Sequence, residues 1–177
     1  MGVGGLLIFD DDTVDEINIP TQLHRINTIG QNKASALADT LQEFSDVPVA
    51  YLPERVFADT QLEGNIIISA VDSIAARKDI WQAVKRSGAG WYLDARMASE
   101  YFKLYLVDLN DPAWYENALE QDTDENTLQE ACTSKATIFT AMFAAGWIGL
   151  AVKEIVTRSA QPGLWVHDIK SKSILII

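Results

Sequence analysis

The stretch Leu6–Lys33, LLIFDDDTVDEINIPTQLHRINTIGQNK, decides the fold of this chain. The apolar run from Gly5 to Phe9 is typical of a buried parallel strand, and it passes directly into three aspartates. Neighbouring carboxylates are costly unless a positive group or the hydroxyls of a ligand lie beside them. In doubly wound sheets, ligands bind beyond the carboxyl ends of the strands. The stretch therefore predicts a ligand-binding edge.

Strand-like and helix-like patterns alternate through the first half of the chain. This alternation predicts an α/β fold with a Rossmann-like, doubly wound and mainly parallel sheet. In the second half, consecutive β-rich segments predict antiparallel strands, the last two forming a hairpin around KSKS at residues 170–173. The predicted strands are GLLIF, VPVAYL, NIIISAV, GWYLDA, FKLYLVDL, LWVHDI and SILII.

Helical spacing of apolar residues predicts two helices in the first half. The first begins near Gly30, because Pro20 is expected to prevent an earlier one. The second begins at Asp72 or Ser73, one of which caps it, and ends near Ser87. In the first helix, the residues expected to be buried are Ala34, Leu37, Leu41 and Phe44.

A third helix is predicted from about Lys135 to Arg158, after an acidic excursion between residues 108 and 130 that is expected to be only partly ordered. Its segment from Ala136 to Val152 has no charged residue. That length lies at the bottom of the range for a membrane-spanning helix, and threonines and glycines dilute it. We predict a helix buried on most sides inside the domain, and no membrane partner.

Composition limits the class of protein. With 177 residues the chain is expected to form a single domain, residues 1–177. A formal net charge of −11 makes nucleic acid an unexpected partner, since phosphate binding needs a basic surface. The single cysteine allows no internal disulfide and no CxxC zinc pair, and no secretory signal is visible. These features favour a cytoplasmic protein without zinc.

Two carboxylates are expected at the same edge of the sheet. Asp10 ends the first predicted strand, and Asp72 follows NIIISAV. A carboxylate in the first position can hold the hydroxyls of a ribose, and Lys33 could reach the phosphates of the same ligand. Asp72 could hold Mg²⁺ between those phosphates, because hard cations prefer oxygen ligands. A structural role for Asp72 as a helix cap is the alternative.

The order of these residues resembles the ThiF/MoeB/HesA family, relatives of the ubiquitin-activating enzymes. Those proteins carry a strand ending in D-x-D-x-V, an asparagine, an Arg-Gln pair and a G-x-x-K-A helix start. A later D-x-x-D-N-x-x-x-R resembles SAVDSIAAR here, and a cysteine before a long helix of small residues resembles CTSKATIFTAMFAAGWIGLAV. The matching residues are Asp10, Asp12, Val14, Asn18, Gln22, Gly30, Lys33, Ala34, Asp72, Arg77 and Cys132.

The resemblance implies an adenylyltransferase that uses ATP and Mg²⁺ to activate the C-terminal glycine of a small ubiquitin-like or sulfur-carrier protein. It implies that Asp10 holds the ribose, that Asn18 and Lys33 contact the phosphates, and that Asp72 binds the metal. Asp12 would order the loop near the phosphates, and Gln22 belongs to the same nucleotide-binding motif.

Cys132 lies where some family members carry a cysteine that accepts the activated carrier. A thiolate nucleophile needs a lowered pKa, and Lys135 is the nearby cation in the sequence. The alternative is that Cys132 is a small residue preceding a helix.

Three departures from the family pattern modify these expectations. Thr21 replaces the arginine of the Arg-Gln pair, for which Arg25 could substitute, and the family's two CxxC pairs are absent. The glycine-rich phosphate loop is also absent, because MGVGG precedes a strand instead of following one. We therefore expect an N-terminally truncated version of the fold, with weak ATP binding or none. An unpaired apolar strand edge would then favour a homodimer.

Two other functions remain open. A non-catalytic scaffold would keep the fold and dock a ubiquitin-like partner or a catalytic sister subunit. An NAD-dependent oxidoreductase would use Asp10 on a ribose, but the chain has no glycine fingerprint. Its histidines also offer no convincing proton-transfer group, since His24 lies in a loop and His167 in the terminal hairpin.

Overall fold

The computed structural model describes residues 3–98, 100–122 and 138–177. The chain divides into two compact units, Met1–Val56 and Phe57–Ile177. The first unit contains β1 (Leu6–Phe9), α1 (Ile19–Gln22), α2 (Lys33–Gln42) and β2 (Val49–Leu52), with short 3-10 helices at Glu16–Asn18 and Ile26–Thr28. The second contains β3 (Ile66–Ser69), α3 (Ile74–Val84), β4 (Trp91–Ala98), β5 (Tyr101–Asp108), α4 (Ala113–Gln121), α5 (Ile138–Val156), β6 (Gly163–Asp168) and β7 (Ser173–Ile176).

In the first unit, β1 and β2 form a parallel pair whose register runs from Leu6 opposite Val49 to Phe9 opposite Leu52. The predicted strands and helix are confirmed, but α1 is an addition. It contains Pro20 in its first turn, where the missing N–H has no intrahelical partner to lose. The prediction that Pro20 prevents an early helix was therefore wrong.

The predicted burial in and after helix α2 is only partly right. Ala34 is buried as expected and Leu41 is half-buried, but Leu37 is exposed and Phe44 is 81% exposed, while Ala36 and Ala38 are buried as well. The segment carries apolar residues on more than one side, so periodicity alone could not identify the packed one. The small alanines pack because they allow close approach of the helix backbone.

In the second unit, the sheet has the order β3-β4-β5-β6-β7. β3 pairs with β4 in parallel, and the remaining pairs are antiparallel, including the predicted terminal hairpin. The mixed α/β architecture is therefore confirmed. The parallel strands are divided between two sheets, and among the described strands β1 and β3 each pair along one edge.

Both faces of this second sheet are covered by helices. Leu93, Leu104 and Leu106 form one face of the core with α5, whose Trp147 packs edge-on against Trp165. On the opposite face, the aromatic rings of Tyr92, Trp81 and Tyr115 contact one another at centroid distances of 4.9–5.5 Å. Each fully buried large apolar side chain contributes roughly 1.5–3 kcal/mol, so this layered arrangement holds the second unit together.

Helix α4 lies within the segment predicted to be an acidic excursion. Its sequence, AWYENALEQ, places the buried side chains of Tyr115 and Leu119 one turn apart. The net acidity of the segment obscured this short apolar side. The remainder of the predicted excursion, residues 123–130, lies outside the described residues.

Helix α5 confirms the third predicted helix, but not its burial. Ala144 and Ala151 pack against the sheet, whereas Phe139, Met142 and Phe143 are 42–56% exposed. By length and composition α5 could cross a membrane. Its most apolar window has a mean hydropathy of 1.5, and 17% of that window is buried. Its packing on β4 and β5 also fits the core helix of a soluble protein. The apolar run reflects one packed side and one open side.

Candidate functional site

Three adjacent carboxylates follow β1. Side-chain oxygens of Asp10, Asp11 and Asp12 all lie within 4.8 Å of one another. Asp10 is half-buried, and its Oδ1 accepts the Asp12 N–H at 2.9 Å. Burial raises the pKa of Asp10 above its ordinary range, and the bond from Asp12 and the charge of Lys33 oppose that rise. The ionised form of Asp10 is therefore costly until another partner stabilises it.

Lys33, the first residue of α2, contacts this cluster of three aspartates. Its Nζ lies 2.8 Å from Oδ2 of Asp12, and its N–H donates to the Asp12 carbonyl at 2.9 Å. The Asn32 amide donates to the carbonyls of Asp10 and Asp12 at 2.7 and 3.0 Å. The structure thus brings together Asp10, Asp12 and Lys33, three of the residues singled out in the sequence. Lys33 contacts a carboxylate here, so phosphate contact by Lys33 stays a prediction.

The backbone that delivers Lys33 depends on Gly30. The Gly30 N–H donates to the Val14 carbonyl at 2.9 Å, and the Val14 N–H donates to the Gln31 carbonyl at 2.8 Å. Gly30 has a φ of 87°, which glycine adopts without the steric cost that a side chain would add. This conformation explains why the motif has a glycine three residues before the lysine.

His24 is a part of this cluster that sequence reasoning missed. Burial lowers the pKa of the His24 imidazole, the nearby Lys33 ammonium lowers it further, and the Asp10 carboxylate opposes both. The charges of Lys33 and Asp10 therefore both act on the imidazole, whose pKa lies below its ordinary value. No periodicity or spacing in the sequence indicated this proximity, because the chain reaches His24 through an irregular segment.

Two residues predicted to contact the nucleotide, Asn18 and Gln22, have surroundings different from those of Asp10 and Lys33. Asn18 is buried, and its side-chain oxygen accepts the Asp15 N–H at 2.9 Å, so that oxygen holds the turn before α1. Gln22 is exposed at the end of α1. The Arg25 guanidinium forms a two-pronged ion pair with Glu43. Arg25 thus pairs with Glu43 at the exposed surface, and its substitution for the family arginine stays a prediction.

Asp72 belongs to the second unit and lies in the loop between β3 and α3. It is exposed, and no hydrogen bond to its carboxylate is found within the described part of the chain. Ser73 caps α3, its Oγ accepting the Ala76 N–H at 3.2 Å. The cap is therefore Ser73, and the Asp72 carboxylate remains available to a hard cation such as Mg²⁺.

A buried ion-pair network lies beside this loop. Asp94 on β4 is completely buried and receives Arg77 on one oxygen and the Nε of Arg96 on the other, the latter at 2.7 Å. Ser69 and Tyr115 donate hydroxyl hydrogen bonds to the same carboxylate at 3.1 and 3.0 Å. The motif drew attention to Arg77 only. The one sequence feature that pointed to Asp94 was the pair of charged residues, Asp94 and Arg96, within the otherwise apolar strand WYLDAR.

Arg96 extends the network toward α4. Its guanidinium stacks over the Tyr105 ring at 4.4 Å and donates to Asp122 at 2.5 Å. Two arginines and two aspartates therefore balance one another in this network, which lowers the cost of burying them. Cys132 and Lys135, the predicted nucleophile and its cation, lie outside the described residues.

The comparison that decides the identity is the match of the ThiF family model to residues 1–173. The chain belongs to the ThiF family. This membership and the mixed α/β architecture confirm the family that the motifs predicted and the Rossmann-like fold class that the alternation of strands and helices predicted. No curated protein sequence matches the chain.

Solved structures with the same fold include two ThiF-like proteins. E. coli MccB, in a crystal structure with ATP, has 14% sequence identity and a TM-score of 0.67, covering 98% of this chain and 56% of MccB. The microcin C7 biosynthetic enzyme MccB in complex with N-formylated MccA has 13% identity and a TM-score of 0.67, with 98% and 57% covered. Selenomethionine PaaA has 14% identity and a TM-score of 0.69, with 98% and 72% covered.

These identities support likeness of fold alone. The chain spans 56% of the length of the MccB chain. Family membership and fold together establish a ThiF-family α/β scaffold, on which the residues around Asp10 and Asp72 follow strand ends.

Proposed function

We propose that this chain takes part in the ATP-dependent adenylation of the C-terminal glycine carboxylate of a small ubiquitin-like or sulfur-carrier protein. The observation that carries the proposal is a half-buried Asp10 beside Lys33, at the end of a parallel strand in a ThiF-family chain. MccB has been solved with ATP and with N-formylated MccA, which supports a nucleotide and a small peptide or protein as the reactants.

The reaction needs no proton transfer at its first step. A carboxylate oxygen of the carrier forms a bond to the α-phosphorus of ATP, and the bond from that phosphorus to the bridging oxygen of the β-phosphate breaks. The products are an acyl adenylate and pyrophosphate. Carboxylates are weak nucleophiles, so the protein contributes mainly positioning and neutralisation of charge.

In the first unit, Asp10 would accept hydrogen bonds from the ribose hydroxyls. Two such donors would stabilise the ionised carboxylate, whose pKa burial raises. Lys33 would then exchange the exposed Asp12 carboxylate for a phosphate, since its ammonium already points to an anion. Asn18 and Gln22 are proposed as further contacts to the nucleotide, as the motif implies.

In the second unit, Asp72 would bind the Mg²⁺ that accompanies the triphosphate. Its exposed carboxylate has no hydrogen-bond partner among the residues described, which fits a hard cation. Magnesium supplies neutralisation of phosphate charge in such reactions. We also propose that the Cys132 thiolate attacks the acyl carbon of the adenylate, so that a thioester forms and AMP leaves.

We further propose that the 177-residue chain alone binds ATP weakly. Among the described residues, no glycine-rich turn follows a strand and opens a helix, although such turns bring backbone N–H groups to phosphates. A cytoplasmic homodimer is the proposed assembly. It is supported by exposed Leu6 and Leu7 on β1, which pairs only with β2 among the described strands.

Pyrophosphate exchange tests the activity. The protein is incubated with Mg²⁺, ATP, labelled pyrophosphate and a carrier with a Gly-Gly C-terminus, and incorporation of label into ATP is measured. Asp10→Ala and Asp72→Ala should each abolish exchange, while Glu43→Gln, remote from the proposed ligands, should retain it. Wild-type protein that gives neither exchange nor a nucleotide-dependent rise in melting temperature would contradict the proposal.

A non-catalytic scaffold is the second candidate, and the replacement of the family arginine favours it. Thr21 stands in the place of that arginine, and among the described residues no glycine-rich turn follows a strand and opens a helix. Such a protein would bind a carrier or sister subunit without turning over ATP. Co-purification of a small carrier with no exchange activity would favour the scaffold over the enzyme.

A further inference from the structure

Arg77 lies beneath the loop that carries Asp72 and bonds to the backbone of that loop. Its Nη2 donates to the carbonyl of Val71, the residue directly before Asp72. Its Nη1 donates to the Asp94 carboxylate and to the carbonyl of Ala95, the latter at 3.1 Å. Arg77 is itself buried, with 4% of its surface exposed. It therefore connects β4, an interior strand, to the backbone beside the proposed metal ligand.

The same loop is fixed at two other points. At the end of β3, the Ser69 hydroxyl lies 2.7 Å from the Tyr92 hydroxyl and donates to Asp94 at 3.1 Å. On the other side, Ser73 caps α3. Between these anchored positions, Asp72 alone points a carboxylate to solvent without a hydrogen-bond partner among the described residues. The backbone around Asp72 is held while its side chain is left free.

We propose that Arg77 is a positioning residue that fixes the direction of the Asp72 carboxylate toward a divalent cation. The inference rests on the proposed function, in which Asp72 binds the metal. The planar guanidinium donates to the Val71 carbonyl and to Asp94 at a fixed angle, which the single ammonium of a lysine cannot reproduce. Because desolvation offsets much of the attraction in a buried ion pair, this contact supplies direction more than net stability.

The test compares two substitutions that act on the same buried carboxylate. Arg77→Lys keeps the charge beside Asp94 but cannot also hold the Val71 carbonyl. Arg96→Lys changes the second arginine that donates to Asp94. None of the described hydrogen bonds of Arg96 reaches the loop that carries Asp72. Nitrogen-15 relaxation of the backbone amides of residues 71–73 measures loop motion. Titration with Mn²⁺ and ATP, followed by the paramagnetic relaxation of water, measures metal binding.

Arg77→Lys should increase the motion of residues 71–73 and weaken Mn²⁺–ATP binding by about tenfold or more, the loss typical of residues that orient a metal ligand. Arg96→Lys should leave both unchanged, even where the two variants lose similar thermal stability. Equal loosening of the loop in both variants, or in neither, would overturn the positioning role.

The two proposals fail in different ways. If wild-type protein binds no Mn²⁺–ATP while Arg77→Lys alone loosens the loop, the proposed function is lost and the mechanical link from Arg77 to the loop stands. If wild-type protein binds Mn²⁺–ATP and Arg77→Lys binds it equally well, the positioning role is lost and the proposed function stands.

A second pair of variants covers the case in which Arg77→Lys does not fold. Asp94→Asn keeps the shape of the side chain but weakens its attraction for Arg77, whereas Tyr115→Phe removes only one hydroxyl from the same carboxylate. Asp94→Asn should loosen residues 71–73, and Tyr115→Phe should not. Unchanged loop motion in Asp94→Asn would contradict the inference.

Discussion

Lys33 and Asp12 form an ion pair in which the two charges differ sharply in exposure. The Nζ–Oδ2 distance is 2.8 Å, yet 14% of the lysine side chain is exposed against 67% of the aspartate side chain. Solvent screening makes such a pair weak, because one partner remains in water. The Asp12 carboxylate is therefore a replaceable anion beside a largely buried cation.

Removing the Asp12 charge should strengthen nucleotide binding. In Asp12→Asn the Lys33 ammonium no longer has a competing anion, so the affinity for Mg²⁺–ATP should rise by about two- to fivefold. Lys33→Met should lower it, because the proposed phosphate contact is lost. Isothermal titration calorimetry measures both changes, with Lys172→Met in the terminal hairpin as a charge-matched control. A rise in affinity in Lys33→Met would rule out phosphate contact by this lysine.

Asp10 should make stability depend on pH in a direction opposite to that of an ordinary salt-bridged carboxylate. Burial raises its folded-state pKa above the ordinary 3.8, so the folded state holds the proton more firmly than the unfolded state. The free energy of unfolding therefore falls as the pH rises from the unfolded to the folded pKa. This contribution to the free energy of unfolding is fully lost above the folded pKa of Asp10 and fully present below its unfolded pKa.

Asp10→Asn should consequently be more stable than the wild type at neutral pH, with a difference that shrinks as the pH approaches about 3. The same variant should bind nucleotide less tightly, because an amide is a weaker acceptor for ribose hydroxyls than a carboxylate. Thermal unfolding across this pH range measures the effect, with Asp11→Asn as the adjacent control. A stability difference that grows toward low pH would contradict the assigned direction.

The sequence predicted the region around Asp10 well because its contacts are local. Strand, acidic turn, Gly30 and Lys33 follow one another within a short stretch, and the backbone bonds of Val14 close it. The partners of Asp94 come from the end of β3, from two helices and from a neighbouring part of its own strand, so no spacing rule could bring them together. Helix α2 was predicted in place, but its buried residues were predicted only in part, since packing against β1 and β2 selected the alanines Ala36 and Ala38 over Leu37.

Loss of the Asp94 carboxylate should be severe. Asp94→Ala leaves Arg77 and Arg96 buried without their shared counter-charge, which should cost about 3–5 kcal/mol of unfolding free energy. Urea unfolding monitored by tryptophan fluorescence measures the change. Glu43→Gln removes a fully exposed carboxylate from the pair with Arg25 and should leave the midpoint almost unchanged. Similar losses of unfolding free energy in Asp94→Ala and Glu43→Gln would show that burial does not determine how much each ion pair contributes to stability.

Two glycines weaken α5 without a steric need. A Cβ added at Gly146 or Gly149 would meet nothing within 4 Å, and both lie in the middle of the helix. Gly149→Ala should therefore stabilise the protein by up to about 1 kcal/mol. At Gly163 the added Cβ would lie 2.5 Å from the carbonyl oxygen of Ile177, so Gly163→Ala should destabilise the β6–β7 pair. Chemical denaturation of both variants tests these opposite signs, and a loss of stability in Gly149→Ala would contradict the open surroundings of that residue.

The open side of α5 should tolerate charge where its packed side does not. Met142 is 56% exposed, so Met142→Lys should change the unfolding free energy by no more than about 0.5 kcal/mol. Ala151 is fully buried against the sheet, so Ala151→Lys should cost on the order of 3 kcal/mol or more, because it buries a charge with no partner. Thermal unfolding compares the stability of Met142→Lys with that of Ala151→Lys, and sedimentation velocity measures their oligomeric state. A large loss of stability in Met142→Lys, with no change in oligomeric state, would mean that this side of the helix is packed within the chain.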